Sequence, residues 1–209
     1  YVGYLKDDLF NGQGTLIYAD GSEYVGSFKD DLFNGQGTYR MATGDTYVGG
    51  YKDSKKHGQG SLSYGNGNKY VGEFRYNKKH RQGTFTYVNG DKYVGAYKND
   101  MFNGQGSLTF TDSGNKYVGA FKDDLFDGQG VYSYANGNNY EGEFQEDLFN
   151  GKGRYSYANG DSYVGTFKDD LFDGQGTFKA ADGTVKQGIW QDGELPECSS
   201  SLSDCSDPN

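Results

Sequence analysis

The stretch YVGSFKDDLFNGQG, Tyr24–Gly37, restates most of a phrase that opens the chain 23 residues earlier, and this recurrence constrains the fold more than any other feature. Cutting before each Tyr-(Val/Glu)-Gly yields eight units, repeats 1–8, beginning at Tyr1, Tyr24, Tyr47, Tyr70, Tyr93, Tyr117, Tyr140 and Tyr163. Seven span 23 residues; the fifth spans 24, with its extra residue in the turn TDSGN. A ninth, broken unit follows as KQGIWQDG, Lys186–Gly193. A fixed period of about 20–50 residues marks an architecture in which no unit buries its face alone and stacked neighbours complete the core.

Within a unit the apolar period is two, which predicts strands. In repeat 2, Tyr24, Gly26 and Phe28 share one face, while Val25, Ser27 and Lys29 point the other way. After Asp30-Asp31 the alternation resumes, with Phe33, Gly35, Gly37, Tyr39 and Met41 on one face and Asn34, Gln36, Thr38 and Arg40 on the other. Each unit closes on a turn such as Ala19–Gly21 or Ala135–Gly137, where glycine supplies the positive φ that tight connections need. The reading is one β-hairpin per unit. Glycines and aromatic residues alternate on one face of the same strands. Glycine weakens a strand interior unless something fills the space it leaves, and a ring from a neighbouring strand lying flat over the gap is the expected filler.

No helical stretch offers a second layer. The expected fold is all-β: an elongated, single-layer, twisted antiparallel sheet of consecutive hairpins over residues 1–193, about 75–80 Å long at two strands per unit. Its aromatic face is only partly hidden and so must curl, pair with a copy or accept a partner.

These units resemble the MORN (membrane occupation and recognition nexus) repeat family, whose unit runs approximately Tyr-Glu-Gly-Glu-Trp, a turn, then His-Gly-x-Gly-x-Tyr-x-Tyr-x-Asp-Gly. Here the matching phrases are YEGEF at Tyr140–Phe144, HGQGSLSY at His57–Tyr64 and ADG at Ala19–Gly21, in register across Tyr1 to about Gly193. Position 5 is Phe or Tyr (Leu5 in repeat 1) where the family often has Trp, Asp-Asp replaces a glycine-containing turn, and Arg81 stands where the family has glycine. The resemblance implies a regulatory or scaffolding array, free-standing or attached to an enzyme such as a lipid kinase, that grips an extended or helical segment along its groove. It also implies association with membranes or the cytoskeleton.

No catalytic constellation emerges. His57 and His80 both fall at position 11 of consecutive units, with no cysteine or carboxylate set to complete a metal site. Gly-x-Gly never extends to a phosphate-binding P-loop; in Gly151-Lys152-Gly153 glycine follows the lysine. In DDLFDG, Asp123–Gly128, Leu125 occupies a position that a calcium loop gives to an oxygen ligand. No enzyme, cofactor or metal is expected, and the net charge of −9 argues against nucleic acid as a partner.

Two features remain as candidate interaction sites. Six units carry an apolar pair (Leu-Phe, or Met101-Phe102) after the turn. By parity their phenylalanines, among them Phe102, Phe126, Phe149 and Phe172, join the aromatic face with Tyr134 and Tyr157. They either pack against the next hairpin or rim a groove for a protein segment or a second copy. Repeats 3 and 4 instead read DSKKHGQG and YNKKHRQG. From Tyr47 to Lys92 nine Lys/Arg face three Asp/Glu, a local net of +6. Lys55, Lys56, Lys78, Lys79 and Arg81 are read as a basic edge, either plainly solvated or holding an anionic phospholipid head or an acidic peptide. The end, ELPECSSSLSDCSDPN, reads as a disordered acidic tail (194–209), and Trp190 as part of the cap on the last open strand. Cys198 and Cys205 lie only in that tail, which favours a reducing, intracellular and cytoplasmic setting. The start at Tyr1, without methionine and in mid-phrase, suggests a piece of a longer chain.

Overall fold

In a computed structural model, residues 1–196 are described; Cys198 and Cys205, and the tail expectation beyond residue 196, lie outside them. Among the described residues there is no helix, and the chain is a succession of antiparallel strands. It divides into two compact units, Tyr1–Leu125 and the part from Phe126 onward. The first holds the strands from Val2–Lys6 to Lys116–Lys122, the second those from Leu125–Ser133 to Val185–Trp190. Within each unit every strand pairs only with its sequence neighbours, as the parity of the repeat requires.

Repeat 2 shows the pattern. A seven-residue strand, Glu23–Lys29, turns through Asp30-Asp31 into a nine-residue strand, Leu32–Arg40. Both aspartates have left-handed backbones (φ 49° and 66°), the signature of a two-residue type I′ hairpin turn, and Asp is one of the few side chains that tolerates this region. The connection to the next repeat is longer: Met41 N donates to Asp45 O, and Gly44, in the left-handed region, donates to Met41 O. Between the pairs Gly26↔Gly37 and Phe28↔Phe33 the second strand carries two extra residues, a bulge centred on Gly35 at φ 102°. Because two residues are inserted, parity survives the bulge and Phe33 stays on the aromatic face.

The glycines of positions 3 and 14 meet strand to strand: Gly14↔Gly26, Gly26↔Gly37 and Gly37↔Gly49 run as one backbone line across the first unit. The ring over this line comes from the same repeat: for Gly37 from the neighbouring strand, as expected, and for Gly26 from the same strand. Tyr24 lies flat across Gly26 and Gly37, so that a Cβ on Gly37 would meet its Oη at 2.4 Å. Its hydroxyl donates to Ser27 O at 3.0 Å, and the residue is entirely buried. Tyr47, Tyr70, Tyr93, Tyr140 and Tyr163 repeat the arrangement. Burial of an aromatic side chain is worth roughly 1.5–3 kcal/mol, so this layer is the core. The opposite face is not uniformly polar: Val25, Val48, Val71, Val94, Val118 and Val164 form exposed positions along it.

Both edges are stitched between repeats. Asp31 N donates to Phe10 O, and its Oδ1 accepts from Phe10 N at 2.7 Å. Ser54, Asn77, Asp100, Asp147 and Asp170 do the same for the preceding repeat. At the other edge Asp45 Oδ1 accepts from Gly65 N, and Asp161 Oδ1 from Ala181 N. At the C-terminal end, Trp190 sets its ring edge-on to Tyr163 and Phe172 and donates to Gly176 O, while Gln191 and Glu194 exchange backbone hydrogen bonds.

Candidate functional site

Position 10 sits one layer above the buried tyrosines. Where it is phenylalanine, its ring stacks on the tyrosine of its own repeat: Phe33 on Tyr24 at 3.6 Å and 8°, Phe102 on Tyr93 at 3.7 Å and 11°, Phe149 on Tyr140 at 3.8 Å and 11°, Phe172 on Tyr163 at 3.7 Å and 7°. It also meets the position-5 ring of the next repeat edge-on, as Phe126 meets Phe144 at 5.9 Å. Edge contacts of this kind add about 0.5–1.5 kcal/mol beyond area.

In the second unit these rings form the floor of a solvent-open trough of about 660 Å³. Phe126, Phe149 and Phe172 lie along it, with Tyr132, Tyr134, Tyr155 and Tyr157 beside them and Asp147 and Asp170 also bordering it. Phe126 and Phe149 are buried, so they are floor rather than rim; Tyr134 and Tyr157 are half-buried flanks. Burial, reinforced by Tyr155 and Tyr132, pushes the Tyr134 phenol up to about 12. Five of the six aromatics singled out from the sequence thus border one concavity. Phe102, in the first unit, stands on its own Tyr93 stack. The arrangement offers apolar area, ring faces and a few phenolic hydroxyls, which suits non-covalent docking of a side-chain-bearing chain.

In repeats 3 and 4 the same position holds Lys56 and Lys79. Lys56 Nζ lies 5.4 Å from the Tyr47 ring centre and 5.8 Å from that of Phe74; Lys79 Nζ lies 4.6 Å from Phe85 and 5.6 Å from Tyr70. These are cation–π distances, and burial lowers both ammonium pKa values from the ordinary lysine range. Lys55 and Lys78, one residue earlier, are exposed, with Lys55 Nζ 5.8 Å over Tyr76. Arg81 is exposed on the bulge, its guanidinium 3.8 Å from Glu73. The five cations are therefore divided by the strand alternation between the aromatic face and the solvent.

Arg81 has φ 54° at the bulge position where repeats 1, 2, 3, 5, 6, 7 and 8 have glycine at positive φ. His57 and His80 border a second concavity of about 410 Å³ in the first unit. No group of three or more His, Cys, Asp or Glu among the described residues is placed to hold a metal ion.

Sequence reasoning missed the inter-repeat stitch. Its signal was present: the second turn residue is always a short oxygen-bearing side chain (Asp31, Ser54, Asn77, Asp100, Asp124, Asp147, Asp170).

No curated protein matches the chain. Among solved structures, the TCP domain of Drosophila melanogaster SAS-4 in complex with a proline-rich motif of Ana2 is similar at 12% identity, covering 85% of this chain and 90% of that one, with a TM-score of 0.46. The TCP10 domain of Danio rerio CPAP, a point mutant, aligns at 12% identity over 85% and 99%, with a TM-score of 0.28. A streptogramin B lyase aligns at 7% identity over 86% and 69%, with a TM-score of 0.20. The MORN repeat profile matches residues 1–23, 24–46, 47–69, 70–92, 93–114, 117–139, 140–162 and 163–185. Those bounds fall on the same tyrosines that lie over the glycine line, and the chain belongs to the MORN repeat family.

Proposed function

We propose that this protein is a non-catalytic interaction scaffold whose aromatic trough in repeats 6–8 receives a protein segment. The observation that carries the reading is the row Phe126, Phe149 and Phe172, flanked by Tyr134 and Tyr157, along one open concavity. A lone sheet face built of stacked rings keeps apolar area in water until something covers it. Aromatic side chains give a partner large contact area at small conformational cost. A segment lying along the trough meets a new Phe–Tyr stack roughly every 9.5 Å, two strand spacings.

The test is a peptide-display selection on the purified protein and on a variant carrying Tyr134→Ala and Tyr157→Ala. These half-buried flanks are removable without opening the floor. Peptides recovered on the wild type are expected to be rich in apolar side chains and to bind the variant about tenfold more weakly or worse. Equal affinity for both would refute the trough as the binding surface. A concentration-dependent dimer that the variant abolishes, seen by sedimentation, would instead assign the trough to a second copy.

A further inference from the structure

The second concavity lies in the first unit and shares no lining residue with the aromatic trough. It is bordered by Lys52, His57, Glu73, Arg75, His80 and Arg81, with a volume of about 410 Å³. Three basic side chains and two imidazoles therefore border one small space, against one carboxylate. Of the cations bordering it, only Arg81 has a carboxylate within ion-pair distance among the described residues, Glu73 at 3.8 Å, with the arginine side chain largely in water and the glutamate partly covered. Such a pair contributes little and is easily exchanged.

Three departures from the repeat converge here. Position 12 is glycine with positive φ in the other repeats, but repeat 4 places Arg81 there at φ 54°. A side chain with a Cβ is strained in the left-handed region, so this arginine is held at a cost that glycine would avoid. The first turn residue of the same repeat is Tyr76, also left-handed at φ 49°. At position 11, Asn11 and Asn103 donate to the turn aspartates Asp30 and Asp123 of the following repeat. His57 faces the Tyr76 ring at 5.1 Å instead, and its Nδ1 makes no hydrogen bond. The polar link that fastens this corner in repeats 1 and 5 is thus replaced by an imidazole with unused hydrogen-bonding capacity.

We propose that this concavity is a binding site for a phosphate ester, with Arg75 and Arg81 as principal ligands and Lys52, His57 and His80 around them. The number of donors decides between anions. A carboxylate has two oxygens, whereas a phosphate monoester has three strong acceptor oxygens and close to two charges at neutral pH. Guanidinium forks match phosphate geometry in paired hydrogen bonds. Arg81 would exchange Glu73 for the ligand, so Glu73 acts as an internal competitor. A soluble sugar phosphate and a phosphoinositide head present the same chemistry to the site.

The chain has only two histidines and both border this concavity, so their imidazole proton resonances report on it alone. Pyrophosphate is titrated at constant ionic strength, with sodium chloride as the control. Both imidazoles are expected to shift saturably with pyrophosphate and not with chloride. Arg75→Gln and Arg81→Gly should each weaken binding about tenfold, and Glu73→Gln should tighten it. Arg81→Gly restores the residue of the other repeats and so is compatible with the fold. Shifts equal to those of the chloride control, or affinities unchanged in all three variants, would overturn the proposal. Phosphatidylcholine vesicles with and without phosphatidylinositol bisphosphate identify the source. Co-sedimentation that pyrophosphate displaces and Arg81→Gly abolishes supports a lipid head, while pyrophosphate binding without co-sedimentation supports a soluble ester.

Discussion

Repeats 3 and 4 and repeats 7 and 8 are built on the same 23-residue phrase and carry the same tyrosine laid over paired glycines, yet they finish the aromatic face differently. In repeats 7 and 8 the ring of Phe149 or Phe172 completes the stack. In repeats 3 and 4 an ammonium group hangs over the rings, at 5.4 Å for Lys56 on Tyr47 and 5.6 Å for Lys79 on Tyr70. The contrast separates two duties. The tyrosine–glycine layer makes the fold and is identical in all eight repeats, whereas position 10 decorates it and is where repeats acquire different surfaces.

The largest expected effect acts on the shared layer through pH. Burial raises the Tyr24 and Tyr47 phenols to about 12, and those of Tyr70, Tyr93 and Tyr140 still further. Above the ordinary tyrosine value of 10.0 the unfolded chain loses these protons first, so it binds fewer protons than the native state and stability falls as pH rises. Lys56 and Lys79 act in the opposite sense. Their lowered values mean the native state deprotonates first, so between those values and the unfolded 10.5 they add stability with rising pH. The tyrosines outnumber them, and chemical denaturation across pH 9 to 12 is expected to show a net loss that grows steeply above about 10. A flat profile would break the premise that the layer is desolvated.

Next come the glycines. Gly142→Ala places a Cβ 2.5 Å from Tyr140 Oη and 2.6 Å from Gly153 Cα, and Gly72→Ala meets Tyr70 Oη and Gly83 Cα at 2.5 Å each. Both should cost about 3 kcal/mol. Equal losses in equilibrium unfolding sharpen the comparison; a loss in only one region would break it. Position 10 should then divide the regions: Phe149→Ala costs about 3 kcal/mol, Lys79→Ala less than about 1 kcal/mol, and Lys79→Phe raises the unfolding midpoint by completing the stack. Smallest is the edge stitch, where Asp147 Oδ1 accepts from Phe126 N at 2.7 Å. Asp147→Gly, which keeps the left-handed backbone, should cost about 1 kcal/mol. Asp147→Asn should stay within about 0.5 kcal/mol, since Asn77 fills the same role in repeat 4.

The strands, their faces and the hairpin per repeat were legible because a period of two survives even the bulge at Gly35. The identity of the covering ring was not legible. Alternation tells which residues share a face, but it does not say that Tyr24 leans along its own strand over Gly26 rather than across to another repeat. The basic edge shows the opposite failing. Adjacent lysines look like one charge run, but residues one apart on a strand face opposite ways. Lys55 stays in water while Lys56 goes to the rings. The stitch by Asp31 was hidden because its partner, Phe10 N, lies 21 residues away, and a repeat read one copy at a time shows no contact across copies. For the candidate site, the phenylalanines of the trough were named from parity alone. The concavity around Arg81 was not, since it depends on a backbone bulge that the sequence marks only by a missing glycine.

The central claim is that repeats finished with phenylalanine, not those finished with lysine, present the partner surface. Chemical-shift mapping with a peptide selected on the intact protein tests it most directly. Saturable changes confined to the neighbourhood of Phe126, Tyr134, Phe149, Tyr157 and Phe172 are expected. Changes centred instead on Lys56 and Lys79, or on the valine face of Val25 and Val164, would contradict it.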